Sequence, residues 1–122
     1  MIEGYFDGNV PVVGVTVGSG DVAHVHSVVL DTGFTGDLQI TPQLAQDLNL
    51  TILLAEKMKV ADGRIVIVPT AFAFIELEGI KKYVRVLISE SMSLMGISLL
   101  SRFQYKAVVD CKYKTVVLEK SI

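Results

Sequence analysis

Val, Ile and Thr recur along the chain in short runs, separated by punctuation rich in Gly and Asp. β-Branched side chains fit a pleated surface better than a helix, so these runs read as strands. Residues 10–17 form the first, ended by Gly18-Ser19-Gly20-Asp21. Residues 24–30 follow and finish in Val28-Val29-Leu30, a triplet suited to burial on both faces. Leu38 and Ile40 then alternate with Gln39, as in a short strand.

The period changes at Thr41. Thr41 is a good N-cap and Pro42 suits the first helical position. Leu44, Ala45 and Leu48 fall on one helical face, and Asn49 can close the end. Strand chemistry returns after Thr51. Residues 57–61 and 64–69 flank Asp62-Gly63, a two-residue hairpin turn in which Gly accepts positive φ. Residues 71–77 and 83–88 make another pair around Glu78-Gly79-Ile80-Lys81. Residues 97–103 read as a short helix after Gly96, and residues 107–110 and 115–118 as a final hairpin. Many short strands with frequent turns, and one or two short helices, predict a single all-β domain over residues 1–122, a closed barrel or sandwich.

Composition adds limits. Half the chain is hydrophobic (51%), enough for a core without disulfides, and the lone Cys111 permits no internal bridge. The net charge of -2, with the signs mixed, argues against nucleic acid, because phosphate binding needs clustered Lys and Arg. Residues 112–114 are the one basic cluster and are too short to alter this. No apolar run reaches the length of a membrane span, and the N-terminus lacks the pattern of a signal peptide. The expectation is a soluble, cytoplasmic protein with no membrane partner.

The chemistry-bearing stretch is Leu30-Asp31-Thr32-Gly33. A carboxylate directly after a buried strand is costly unless it is hydrogen-bonded or shares its charge. Gly33 lets the backbone turn back so that its amide can donate to that carboxylate, and Thr32 supplies a hydroxyl. Asp-Thr-Gly alone is a weak signal that also occurs in ordinary strand-ending turns. Its context is more specific: an apolar triplet before it, Thr35-Gly36 behind it, and a helix starting at Thr41.

With these features the sequence resembles the retropepsin-like aspartic proteases, and most of all their small prokaryotic members. Three anchors carry the resemblance in order: Leu30-Asp31-Thr32-Gly33, the hairpin tip Ala61-Asp62-Gly63-Arg64, and the apolar segment around Gly96 that leads into the last helix. The resemblance implies a closed acid-protease barrel whose active site lies at a homodimer interface. Such chemistry needs two carboxylates about 3 Å apart that share one proton. The chain has one Asp-Thr-Gly, so the second carboxylate is expected to be Asp31 of another copy. The implied function is an aspartic endopeptidase. It hydrolyses an extended peptide with a water activated between two Asp31 carboxylates and needs no metal or organic cofactor. Asp31, Thr32 and Gly33 would be catalytic. Phe34, Ala61, Asp62, Gly63 and Arg64 would meet substrate or form the flap, and Leu30 and Gly96 would support the loop. The chain's last strand would add to the dimer interface.

Two departures favour an alternative, a weak or inactive acid-protease fold that acts as a dimeric peptide- or protein-binding module. Phe34 stands where relatives carry a small residue lining the cleft. Ile97 and Thr35 occupy the places of a buried Arg–Asp pair, so that pair is expected to be missing. The remaining candidates read as structural. His24 and His26 share a strand face at a spacing that could ligate zinc, but no third ligand is apparent. Ser91, Ser93 and Ser98 lack a nucleophile elbow. Met92 and Met95 read as core filler, and Lys57, Lys59, Lys81, Lys82 and Arg85 as solvated strand faces.

Overall fold

The computed structural model describes residues 1–122, the Leu54 side chain apart. The elements run β1 (Ile2–Glu3), β2 (Tyr5–Asp7), β3 (Val10–Ser19), β4 (Val22–Leu30), β5 (Leu38–Ile40), α1 (Pro42–Asp47), β6 (Leu54–Lys59), β7 (Ile65–Leu77), β8 (Ile80–Ile88), β9 (Leu94–Met95), α2 (Ile97–Phe103), β10 (Tyr105–Asp110) and β11 (Thr115–Lys120). Eight strands follow the order β2-β3-β4-β9-β5-β8-β7-β6, and a further β3–β7 pairing joins the ring. That pairing sets Val17 opposite Ile75 and closes six strands into a barrel. Strands β2 and β6 hang outside the closure, and β1, β11 and β10 form a separate small sheet.

The barrel is filled by alternate residues of its strands. Val13, Val15 and Val17 of β3 meet Ala71, Ala73 and Ile75 of β7 in one cluster, which Leu44, Leu99 and Phe103 of the helices cap. Burying such aliphatic side chains contributes roughly 1.5–3 kcal/mol each.

Both helices start as the sequence predicts. The Leu44 amide donates to Thr41 Oγ1 at 3.3 Å, and Pro42 takes the first position. The end of α1 is a Schellman turn. Asn49 lies at φ 55, its amide donates to the Gln46 carbonyl, and the Leu50 amide donates to the Ala45 carbonyl. The second helix also ends on a left-handed residue, Gln104 at φ 58, whose amide donates to the Ser101 and Leu100 carbonyls.

Several strand boundaries differ from expectation. The first hairpin turns in two residues, Gly20 and Asp21, because Ser19 pairs Val22. Strand β7 runs unbroken through Thr70, where a gap between two strands is predicted, since Pro69 and Thr70 keep their pairing to β6. The flap turn is a three-residue loop rather than a two-residue one. Lys59 pairs Ile65, the Val60 amide donates to the Arg64 carbonyl, and Gly63 at φ 88 closes the turn on the Val60 carbonyl. Gln39 is buried with its neighbours, because β5 lies between β8 and β9. Met95 is core, as expected, but Met92 is exposed.

The last strand is the middle of its small sheet: Val117 of β11 pairs Glu3 on one side and Val108 on the other.

Candidate active site

Strand β4 delivers Asp31 to the barrel surface. Leu30 and Val29 run parallel to Met95 and Leu94 of β9, and the Asp31 amide donates to the Met95 carbonyl at 2.9 Å. The chain then turns sharply. The Gly33 amide donates to Asp31 Oδ1 at 3.0 Å, and the Phe34 amide donates to the Asp31 carbonyl at 3.1 Å. The carboxylate is half-buried, whereas Thr32 and Gly33 are exposed. The acid is thus oriented by the Gly33 amide at a surface beside the exposed Thr32.

Support comes from both sides. Strand β9 is preceded by a loop that Gln39 holds, donating from Nε2 to Ser91 Oγ at 2.9 Å and to the Met92 carbonyl at 3.0 Å. A side chain that could be read as the exposed member of a strand is therefore a buried tether. Behind the loop, the Gly96 amide donates to the Asp37 carbonyl and the Ile97 amide to the Phe34 carbonyl. Ser98 Oγ donates to the Thr35 carbonyl at 2.5 Å. A Cβ on Gly96 would press on the Gly36 carbonyl oxygen and come within 2.7 Å of the Phe34 ring, so only glycine fits.

Ile97 and Thr35 make no ion pair, and a different one ties the loop to the helix: Arg102 Nε reaches Asp37 Oδ1 at 2.6 Å from the far end of α2. Asp37 is 8% exposed, and its hydrogen bond and charge raise the Arg102 pKa above its usual value. No local pattern in the sequence announces this role of Asp37, because its partner lies 65 residues away.

Phe34 is 8% exposed and packs with Val68 and Leu87, backed by Met58 and Val66. Its ring joins the active-site loop to the base of the flap. Beside it lies an open cleft of about 420 Å³, walled by Gly33, Thr35 and Gly36 on one side and Glu56, Lys57 and Lys59 on the other. Consecutive residues of β6 line it because β6 is the outermost strand of its sheet. The flap tip stands apart from these walls. Arg64 folds back, its Nε 2.6 Å from Asp62 Oδ2, and Ala61 and Gly63 are exposed.

A larger cavity of about 610 Å³ lies between the chain ends, around Glu78 and Lys120. The Glu78 carboxylate there is already taken, by the Met1 amine and by the Tyr105 hydroxyl, each at 2.5 Å. The cleft of about 420 Å³ is smaller, and it meets the active-site loop at Gly33, whose amide holds the Asp31 carboxylate. Among the described residues no cluster of three His, Cys, Asp or Glu could hold a metal. His26 shares a 3.0 Å hydrogen bond with Ser93 Oγ, and His24 is exposed.

No protein-family model matches the chain, and no curated protein matches it. Solved structures do. EIAV protease in complex with an inhibitor superposes with a TM-score of 0.67 at 18% identity, over 82% of this chain and 93% of that one. A retropepsin-like aspartic protease from Rickettsia conorii superposes with a TM-score of 0.62 at 18% identity, over 98% of this chain and 89% of that one. The chain has the retropepsin fold. Within the retropepsin fold, Asp31 stands at the end of β4 where the barrel opens onto its surface, and the β6–β7 hairpin leans over the same side through Phe34. No helix among the described residues is long and apolar enough to cross a membrane.

Proposed function

We propose that the chain is one half of an aspartic endopeptidase that works as a homodimer. The observation that carries this reading is Asp31 itself. It is a half-buried carboxylate fixed by the Gly33 amide, free of any ion pair among the described residues, and flanked by exposed Thr32. One such group cannot perform the reaction. Two, related by a two-fold axis at about 3 Å, hold one proton between them. The ionised carboxylate takes a proton from the intervening water as its oxygen attacks the peptide carbonyl. The protonated carboxyl donates to the carbonyl oxygen. Collapse of the resulting diol breaks the C–N bond, and the amine leaves with a proton.

The cleft supports an extended peptide as substrate. The outer edge of β6 carries unpaired backbone groups, and a peptide can add there as a further strand. The flap would close over it and exclude water. Phe34 originally favours the alternative of a binding module. Its ring, however, is consumed in packing against the flap base, which removes one reason for that reading.

The test is cleavage of unfolded casein from about pH 3 to 7 by the wild type and by Asp31→Asn, with and without a statine-type inhibitor. Cleavage by the wild type alone, blocked by the inhibitor, is the expected result. Equal or absent cleavage in both proteins leaves the binding module.

A further inference from the structure

Strand β6 presents Lys57 and Lys59 on one face, while Met58 between them turns to the opposite face against Phe34. Both lysines line the cleft beside Gly33 and Gly36. Neither has an ion-pair partner among the described residues. The nearby carboxylates are committed elsewhere: Glu56 pairs with Arg85, and Asp62 with Arg64. In a chain of net charge -2, the strand that borders the cleft therefore offers two unneutralised cations at a spacing of two residues.

A peptide that adds to the edge of β6 must follow its pleat. Residues opposite Lys57 and Lys59 share their face, and the residue between falls on the face of Met58 and Phe34. We propose that the substrate carries acidic side chains at two alternate positions, with an apolar residue between them. The acidic pair lies opposite Lys57 and Lys59, and the apolar residue extends the cluster around Phe34. This assigns the lysines a selective role where sequence reading gives only solvated strand faces. That such a peptide is cut rests on the endopeptidase reading; the charge preference rests on the cleft alone.

The test uses three fluorogenic peptides that differ only at those two positions, with Glu, Gln or Lys on either side of one Leu. The wild type is expected to cleave the Glu peptide with a kcat/KM on the order of tenfold above the Gln peptide. The advantage should shrink at about 0.5 M salt. The double variant Lys57→Glu/Lys59→Glu should prefer the Lys peptide, a gain that misfolding cannot produce. Equal rates on the Glu and Gln peptides overturn the proposal, as does an acidic preference that survives in the double variant. If none of the peptides is cut, the endopeptidase reading fails, and fluorescence anisotropy with the same peptides decides. Tighter binding of the Glu peptide, reversed in the double variant, sustains the inference. Equal affinities, or no binding, sink it.

Discussion

Arg102 Nε lies 2.6 Å from Asp37 Oδ1, so the last turn of α2 is tied to the loop that carries Asp31. Asp37 is nearly buried and Arg102 half-exposed, which makes the pair more than a surface contact and less than a core one. Arg102→Ala leaves a carboxylate without its cation. The expected cost is about 1–3 kcal/mol, read as a lower urea midpoint with an unchanged slope. Arg102→Lys cannot reproduce the guanidinium geometry and should restore only part of the loss. An Arg102→Ala protein as stable as wild type would show that the loop does not lean on this pair.

Gly96 is the second hinge of the same support. A methyl group there meets the Gly36 carbonyl and the Phe34 ring, and neither is the free end of a flexible chain. Gly96→Ala should therefore cost about 1–3 kcal/mol by overpacking and should displace the loop that orients Asp31. Thermal unfolding followed by circular dichroism reads the first effect. A casein assay at a temperature where the variant is folded reads the second. Wild-type stability together with wild-type cleavage would refute both.

His26 gives a pH dependence with a definite sign. Burial lowers its pKa below the ordinary 6.5, so the folded protein holds the ring neutral where the unfolded chain would protonate it. Its contribution is present above about pH 6.5 and is lost as the pH falls through the depressed folded value. His26→Gln should flatten that part of the curve of urea midpoint against pH. A variant whose midpoint tracks that of the wild type between pH 7 and about 5 would assign the dependence to other groups.

Much of this is legible in the sequence. Thr41-Pro42 and Gly96 mark the two helix starts, because capping is a local matter of side chain and backbone. Asp31 was legible from the apolar triplet before it and the glycine after it. What escaped was made by partners distant in sequence. Strand β9 is two residues long and exists because β4 and β5 flank it. Strands β1 and β2 carry too little alternation to announce themselves and are drawn out by β11 and β3. Gln39 looks like the wet face of a strand until Ser91 and Met92 supply its bonds. The same holds for Asp37, whose environment is set from α2.

Strand β11 has one more consequence. Its strand partners on both sides, β1 and β10, come from the same chain, so the terminal sheet can form before a second copy is met. In the proposed homodimer, folding and pairing are then separate events. An enzyme assembled from two such halves responds to dilution: well below its dissociation constant, a tenfold fall in concentration removes about nine-tenths of the activity per molecule, with every molecule still folded. Abundance itself would act as the switch.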